Sequence, residues 1–174
     1  MNREIAVKAL NGRGRLDYNY EENIRLENVS KTLGCWIINL QYEIIEDKDD
    51  LYLSGNYSIQ LWYAKDNDQA SSVYEKKIDF KQKINMVYRN LPTIDNKKYI
   101  KVFVNKYPSA THMHLNDDYS IDLRIQALYF VDVFQEAVLV VDTKENAKAD
   151  MTLDEELLLN VNPNYITSNN NDKK

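Results

Sequence analysis

Within residues 118–134, DYSIDLRIQALYFVDVF, the side chains Ile121, Leu123, Ile125, Ala127 and Tyr129 oppose Asp122, Arg124 and Gln126. Successive side chains of a strand point to opposite faces, so apolar residues at every second position line one side of a sheet. The period recurs in GNYSIQLWYA (55–64), where Tyr57, Ile59, Leu61 and Tyr63 alternate with Ser58, Gln60 and Trp62. In LGCWIINLQYEII (33–45), Trp36, Ile38, Leu40, Tyr42 and Ile44 share a face while Cys35, Ile37 and Ile45 populate the other. That pattern predicts a central strand covered on both sides. No window between residues 20 and 142 combines a 3.6-residue period with helix caps, so the fold class read here is all-β, an antiparallel sandwich or barrel-like body.

The remaining segments follow from the same signals. EIAVKAL (4–10) is short enough to be strand or helix, and Gly12 and Gly14 mark the following NGRGRLDYNY as a turn or loop. NIRLENVS (23–30) reads as a weak strand. EDKDD (46–50) is a turn joining the strands on either side into an antiparallel hairpin, and KDNDQAS (65–71) is a second polar turn. SVYEKKIDFKQKINMVY (72–88) alternates over part of its length, and RNLPTIDNKK (89–98) is a longer loop containing Pro92. YIKVFVNKYP (99–108), the 118–134 segment and EAVLVVD (136–142) complete a body assigned to residues 1–145. Residues 146–174 read as a flexible acidic tail. In it, Thr152 and Glu155 form a capping-box pattern for a short helix over 153–159, followed by an Asn-rich end expected to be disordered.

Charge narrows the partners. The formal net charge is −5, and residues 150–172 hold five acids (Asp150, Asp154, Glu155, Glu156, Asp172) without a Lys or Arg. An acidic tail on a nearly neutral body argues against nucleic acid and against an anionic membrane surface. No apolar run approaches the roughly 20 residues of a membrane span. Met1-Asn2-Arg3-Glu4 precedes no apolar core of a signal peptide, which favours an intracellular protein. Cys35, the only cysteine, sits in an apolar setting that suits an inert thiol.

Chemistry-bearing constellations are sparse. On a strand the spacing of His112 and His114 places both rings on one face, with Asp117 and Asp118 close in sequence, making them weak metal candidates. Two ligands fall short of a specific zinc signature. The acid pairs Asp47/Asp49 and Asp66/Asp68 lack the glycine and the bidentate Glu of a calcium loop. Nucleophile elbows, phosphate-cradling loops and Cys/His pairs are missing, so no enzyme, no cofactor and no metal are expected. What remains is surface: 13 tyrosines and two tryptophans, residues that supply contact area at low entropy cost. A half-buried strand has no need of Trp62 on its wet face, and a second sheet of the same domain is the favoured cover for it. Partner contact is assigned to Trp62 and Tyr63 on the body and to Asp154, Glu155, Glu156, Leu157, Leu158, Leu159, Tyr165 and Ile166 on the tail.

Three stretches, LGCWIINLQYEI (33–44), GNYSIQLWYA (55–64) and LDEELLLNVNPNYI (153–166), together with REIAVKALNGRGR (3–15), resemble the family of the outer spore coat morphogenetic protein CotE. The resemblance runs in order over most of the chain and is loose between 89 and 130. It implies a non-enzymatic scaffold made in the mother-cell cytoplasm of an endospore-forming bacterium and assembled into the spore coat on the forespore surface. Such a protein self-associates into homo-oligomers or higher assemblies, meets a forespore-surface anchoring protein and recruits other spore coat proteins, with the acidic C-terminal part serving partner contact. The tail here is shorter and less acidic than the family pattern. Two other readings of the residues stand beside this one. The first is a carbohydrate or small-ligand binding module stacking sugars on Trp36 and Trp62, and the second a metallo-hydrolase built on His112 and His114. The many tyrosines also suggest oxidative cross-linking in a mature coat.

Overall fold

The computed structural model describes residues 2–142. The chain divides into two compact units, Ala6–Val138 and its two ends, Met1–Ile5 with Leu139–Lys174. Of the second unit the described residues are strand ends only. The described residues form seven strands: β1 (Asn2–Arg25), β2 (Val29–Asp47), β3 (Asp50–Lys65), β4 (Ala70–Lys83), β5 (Asn85–Tyr88), β6 (Tyr99–Leu115) and β7 (Ser120–Asp142). They form a four-stranded sheet ordered β5-β1-β7-β6 and a three-stranded sheet ordered β2-β3-β4. The all-β expectation holds, with every described pairing antiparallel. The predicted helix over 153–159, the capping box and the Asn-rich end lie outside the described residues.

The two faces turned toward each other hold the core. From β3 come Leu51, Leu53, Tyr57, Ile59 and Leu61; from β7, Ile121, Leu123, Ile125, Tyr129, Val131 and Val133; from β1, Leu16, Tyr18 and Ile24. Each fully buried aliphatic contributes about 1.5–3 kcal/mol against exposure, so the alternation in β3 and β7 is a strong determinant of register. Aromatic rings fill the middle, with Tyr18 packed edge-on to Tyr57 at 6.0 Å and tilted on Phe80 at 5.1 Å. The Tyr18 and Tyr57 hydroxyls bond each other at 2.8 Å.

Turn chemistry explains how the chain manages with four glycines. Lys48 (φ 55) turns β2 into β3, Asp66, Asn67 and Asp68 turn β3 into β4, and Tyr119 (φ 64) turns β6 into β7. The hairpin predicted across residues 46–50 is present, with Asp47 opposite Asp50. Asn and Asp tolerate the left-handed region, so glycine is not needed for it. No glycine has positive φ.

Several expectations are corrected. Gly12 and Gly14 are not in a loop; both face inward within β1, which is strand from Asn2 onward. They are small because side chains from the neighbouring chain segment lie over them: a Cβ at Gly12 would sit 2.6 Å from Cδ1 of its register partner Tyr88, and one at Gly14 would meet Sδ of its partner Met86 and Ile84 Cγ2. Residues 23–30 are the end of β1, a turn at Asn28 (φ 55) and the start of β2, not one strand. The 72–88 segment breaks at Ile84, where the chain leaves the three-stranded sheet and joins the other as β5. Pro108 does not end β6, which runs on to Leu115 through three register shifts. The predicted segments 118–134 and 136–142 form a single strand, β7, once Asp118 and Tyr119 have completed the turn from β6.

β2 is also an edge strand rather than a central one. Its irregularity between Ile38 and Gln41, with Asn39 at φ 56, exchanges its faces. Cys35 and Ile37 pack on the core before it, Leu40 and Ile44 after it, so Trp36 and Leu40 do not share a face as predicted.

Candidate functional site

The outer face of the three-stranded sheet is the most distinctive surface of the Ala6–Val138 unit. Register fixes its rows: Gly34, Trp62 and Val73 stand side by side, then Trp36, Gln60 and Glu75, then Ile38, Ser58 and Lys77. Beyond the β2 irregularity come Gln41, Asn56 and Asp79, and then Glu43, Ser54 and Lys81. The first rows are apolar and aromatic, the later ones polar.

Trp62 is 39% exposed and Trp36 54% exposed, so no second sheet of this domain covers them. The cover predicted for Trp62 is therefore wrong. Trp62 lies on the outer face because Leu61 and Tyr63 take the inner one, and Tyr63, only 9% exposed, is a core residue. The Trp36 indole folds back over Gly34, where an added Cβ would lie 2.7 Å from Cη2. Gly34 is the register partner of Trp62, so the absent side chain lets one indole lie next to the strand position of the other. Val73 extends this apolar surface onto β4, and Gln60 donates to Glu75 at 2.6 Å on its polar border.

The later rows form a hollow of about 640 Å³ lined by the polar side chains of Gln41, Glu43, Ser54, Asn56, Asp79 and Lys81 together with Gly55, Tyr42 and Phe80. A Cβ at Gly55 would strike the Gln41 carbonyl oxygen and approach Phe80 Cζ to 2.9 Å, so glycine admits the irregular β2 backbone here.

The histidines lie elsewhere. His112 and His114 share the outer face of β6 with rings stacked at 6.2 Å, opposite Arg124 and Asp122. The acids near them are already engaged. Asp118 accepts from the Ser120 amide and hydroxyl, which holds its carboxyl below the ordinary range. Asp122 accepts from Asn23 at 2.7 Å and Asn116 at 3.0 Å, and those bonds, aided by the nearby histidines, lower it likewise. No group of three or more His, Cys, Asp or Glu able to hold a metal ion occurs among the described residues. Cys35 faces the core, and burial pushes its thiol up to about 11, so it is protonated at neutral pH.

The opposite sheet carries a bidentate pair. Arg13 donates to both carboxylate oxygens of Asp132, at 2.7 and 2.9 Å. Those hydrogen bonds hold the nearly buried Asp132 carboxyl below its usual range against the opposing effect of burial. Tyr20 donates to Glu22, which also accepts from Lys76 and so ties β1 to β4. Burial first, and that bond second, push the Tyr20 phenol up to about 12.

The tail residues assigned to partners, Asp154 to Leu159, Tyr165 and Ile166, lie outside the described residues. Sequence reasoning overlooked Val73 and Gly34 as parts of the Trp surface. Cross-strand register supplies their neighbours, and only the glycine two residues before Trp36 hinted at it.

These features define a two-sheet antiparallel β protein whose distinctive surface is an aromatic face beside a polar hollow. Residues 1–170 match the sequence profile of the outer spore coat protein E (CotE) family, and the chain belongs to that family. It is thus a member of a structural spore coat family, as the sequence resemblance implied. No curated protein and no solved structure matches it.

Proposed function

We propose that the protein is a non-enzymatic scaffold that self-assembles on the forespore surface and recruits outer coat proteins during sporulation. The observation that carries this reading is the exposed Trp36–Trp62–Val73 surface, held on a rigid sheet in a chain of a spore coat family. Tryptophan presented on ordered strands loses little entropy on binding and dominates many contact surfaces. Made in the mother cell, the chain would meet copies of itself, coat proteins and a surface anchor. The acidic leucine-rich segment 154–159 and Tyr165–Ile166 supply a second, separate set of contacts.

The test is replacement of the native chain by a Trp36→Ser/Trp62→Ser variant in sporulating cells. Both side chains lie on the outer face and outside the core, so the fold is expected to survive, as circular dichroism of the purified variant checks. Spores are expected to lose outer coat proteins from their extracts. A full complement of those proteins in the variant spores would refute a role for this surface.

A second reading has one observation in its favour: a hollow lined by hydrogen-bonding groups lies on the same sheet face as two exposed indoles, separated from Trp36 by the Ile38, Ser58 and Lys77 row, a layout suited to a sugar chain long enough to reach both. Calorimetric titration with oligosaccharides of the spore envelope, showing saturable heat abolished by Trp62→Ser, would support it over a pure scaffold.

A further inference from the structure

The four sheet edges among the described residues differ in how they are guarded. β5 has only four residues and pairs only with residues 12–15, so β1 itself forms the edge beyond them. β6 carries three register shifts and Pro108, β2 carries three register shifts, and these two strands lie against each other along one side of the unit. β4 differs: it pairs with β3 from Ala70 to Lys83 without a break in register, leaving one long regular edge without a partner strand. Natural edges of this kind are commonly blunted by like-charged lysines, bulges or proline. Over the middle of β4 the outward side chains instead alternate in sign, Glu75, Lys77, Asp79 and Lys81, all exposed, before Lys83, which is held by Asp50. Lys77 and Asp79 make no ion pair and no side-chain hydrogen bond among the described residues. On β1, by contrast, Arg15 is held by Asp17, Glu21 by Arg124 and Arg25 by Asp118.

That alternation is self-complementary about Ile78. If two β4 strands pair antiparallel around a two-fold axis at Ile78, Lys77 of each faces Asp79 of the other, and Glu75 faces Lys81. Centring the pair on Lys77 would oppose Glu75 to Asp79. Centring it on Asp79 would oppose Lys77 to Lys81. Opposite charges directly across antiparallel strands are favourable and like charges unfavourable, so the pattern selects one register. We infer that β4 is a homophilic edge: two copies of this chain join β4 to β4 about Ile78, extending the three-stranded sheet to six strands. This rests on the self-assembly reading above and names its contact. Such a contact is isologous and uses backbone groups for affinity and side-chain charge for register. The same axis sets both Trp36–Trp62 surfaces on one side of the joined sheet.

Sedimentation velocity of the full chain over a concentration series tests the inference, with two variants. In Lys77→Glu/Lys81→Glu every opposed pair becomes acidic, and the dissociation constant of the dimer is expected to rise roughly tenfold or more. The fourfold exchange Glu75→Lys/Lys77→Glu/Asp79→Lys/Lys81→Glu inverts each sign and rebuilds the complementarity. It carries the same two glutamates, and is expected to regain self-association while failing to pair with the native chain. Its recovery separates lost pairing from lost folding. If the native chain associates and the double variant associates equally well, the β4 contact is overturned and the scaffold reading survives. If the native chain remains monomeric throughout, both are overturned. If the fourfold variant fails to recover while its circular dichroism is native, the register about Ile78 is wrong.

Discussion

Individual residues show how an aromatic-rich core divides into satisfied and unsatisfied groups. The Tyr18 and Tyr57 hydroxyls share a bond, whereas the Tyr129 hydroxyl is buried with no hydrogen-bond partner among the described residues. An unpaired buried hydroxyl costs free energy, and a phenylalanine of the same shape does not. Tyr129→Phe is therefore expected to leave the denaturant midpoint unchanged or raise it, whereas Tyr57→Phe, which strands Tyr18, is expected to lower stability by about 1 kcal/mol. Chemical denaturation of both variants checks the difference. Asp132 gives a pH signature. Its folded carboxyl is depressed by Arg13, so the stability it contributes is present above the unfolded carboxylate pKa of about 3.9 and is lost as pH falls through the lower folded value. Asp132→Asn is expected to remove that part of the acid dependence. An unchanged slope of stability against pH below about pH 4 would contradict the assignment.

Among the elements, β3 and β7 were legible in advance because each presents one unbroken apolar face. Tyr57, Ile59 and Leu61 on β3, and Ile121 to Tyr129 on β7, are buried as alternation requires. β1 was not legible. Its glycines signalled a turn, since that signal assumes glycine is chosen for backbone freedom, whereas Gly12 and Gly14 are chosen for want of a side chain beneath those of Tyr88, Met86 and Ile84. β2 failed differently: apolar residues on both faces suggested burial on both, and the irregularity at Asn39 that swaps its faces has no period to announce it. For the candidate site, Trp62 stood out by its parity against Leu61 and Tyr63, but its neighbours Val73 and Gly34 come from pairing partners distant in sequence. The account of β1 predicts that Gly14→Val forces β5 from its place. Overpacking of this kind costs on the order of 1–3 kcal/mol, read as a lowered unfolding midpoint. A midpoint equal to that of the native chain would mean that Met86 and Ile84 yield without loss.

On the scale of the whole molecule, the chain combines a sheet with an exposed aromatic face, one regular edge, and a run of acids and leucines beyond the described residues. Membership of a spore coat family gives these features a common setting. The proposed scaffold needs two kinds of contact, the β4 edge to join copies and a second surface to extend the assembly, since closure through a single two-fold would stop at a dimer. The central claim is self-assembly, and sedimentation velocity of the purified native chain across a wide concentration range measures it most directly. The expected result is a boundary that moves faster with rising concentration, reaching species larger than a dimer and slowing in the Trp36→Ser/Trp62→Ser variant. A single monomer boundary, unchanged from the lowest to the highest concentration, would contradict it.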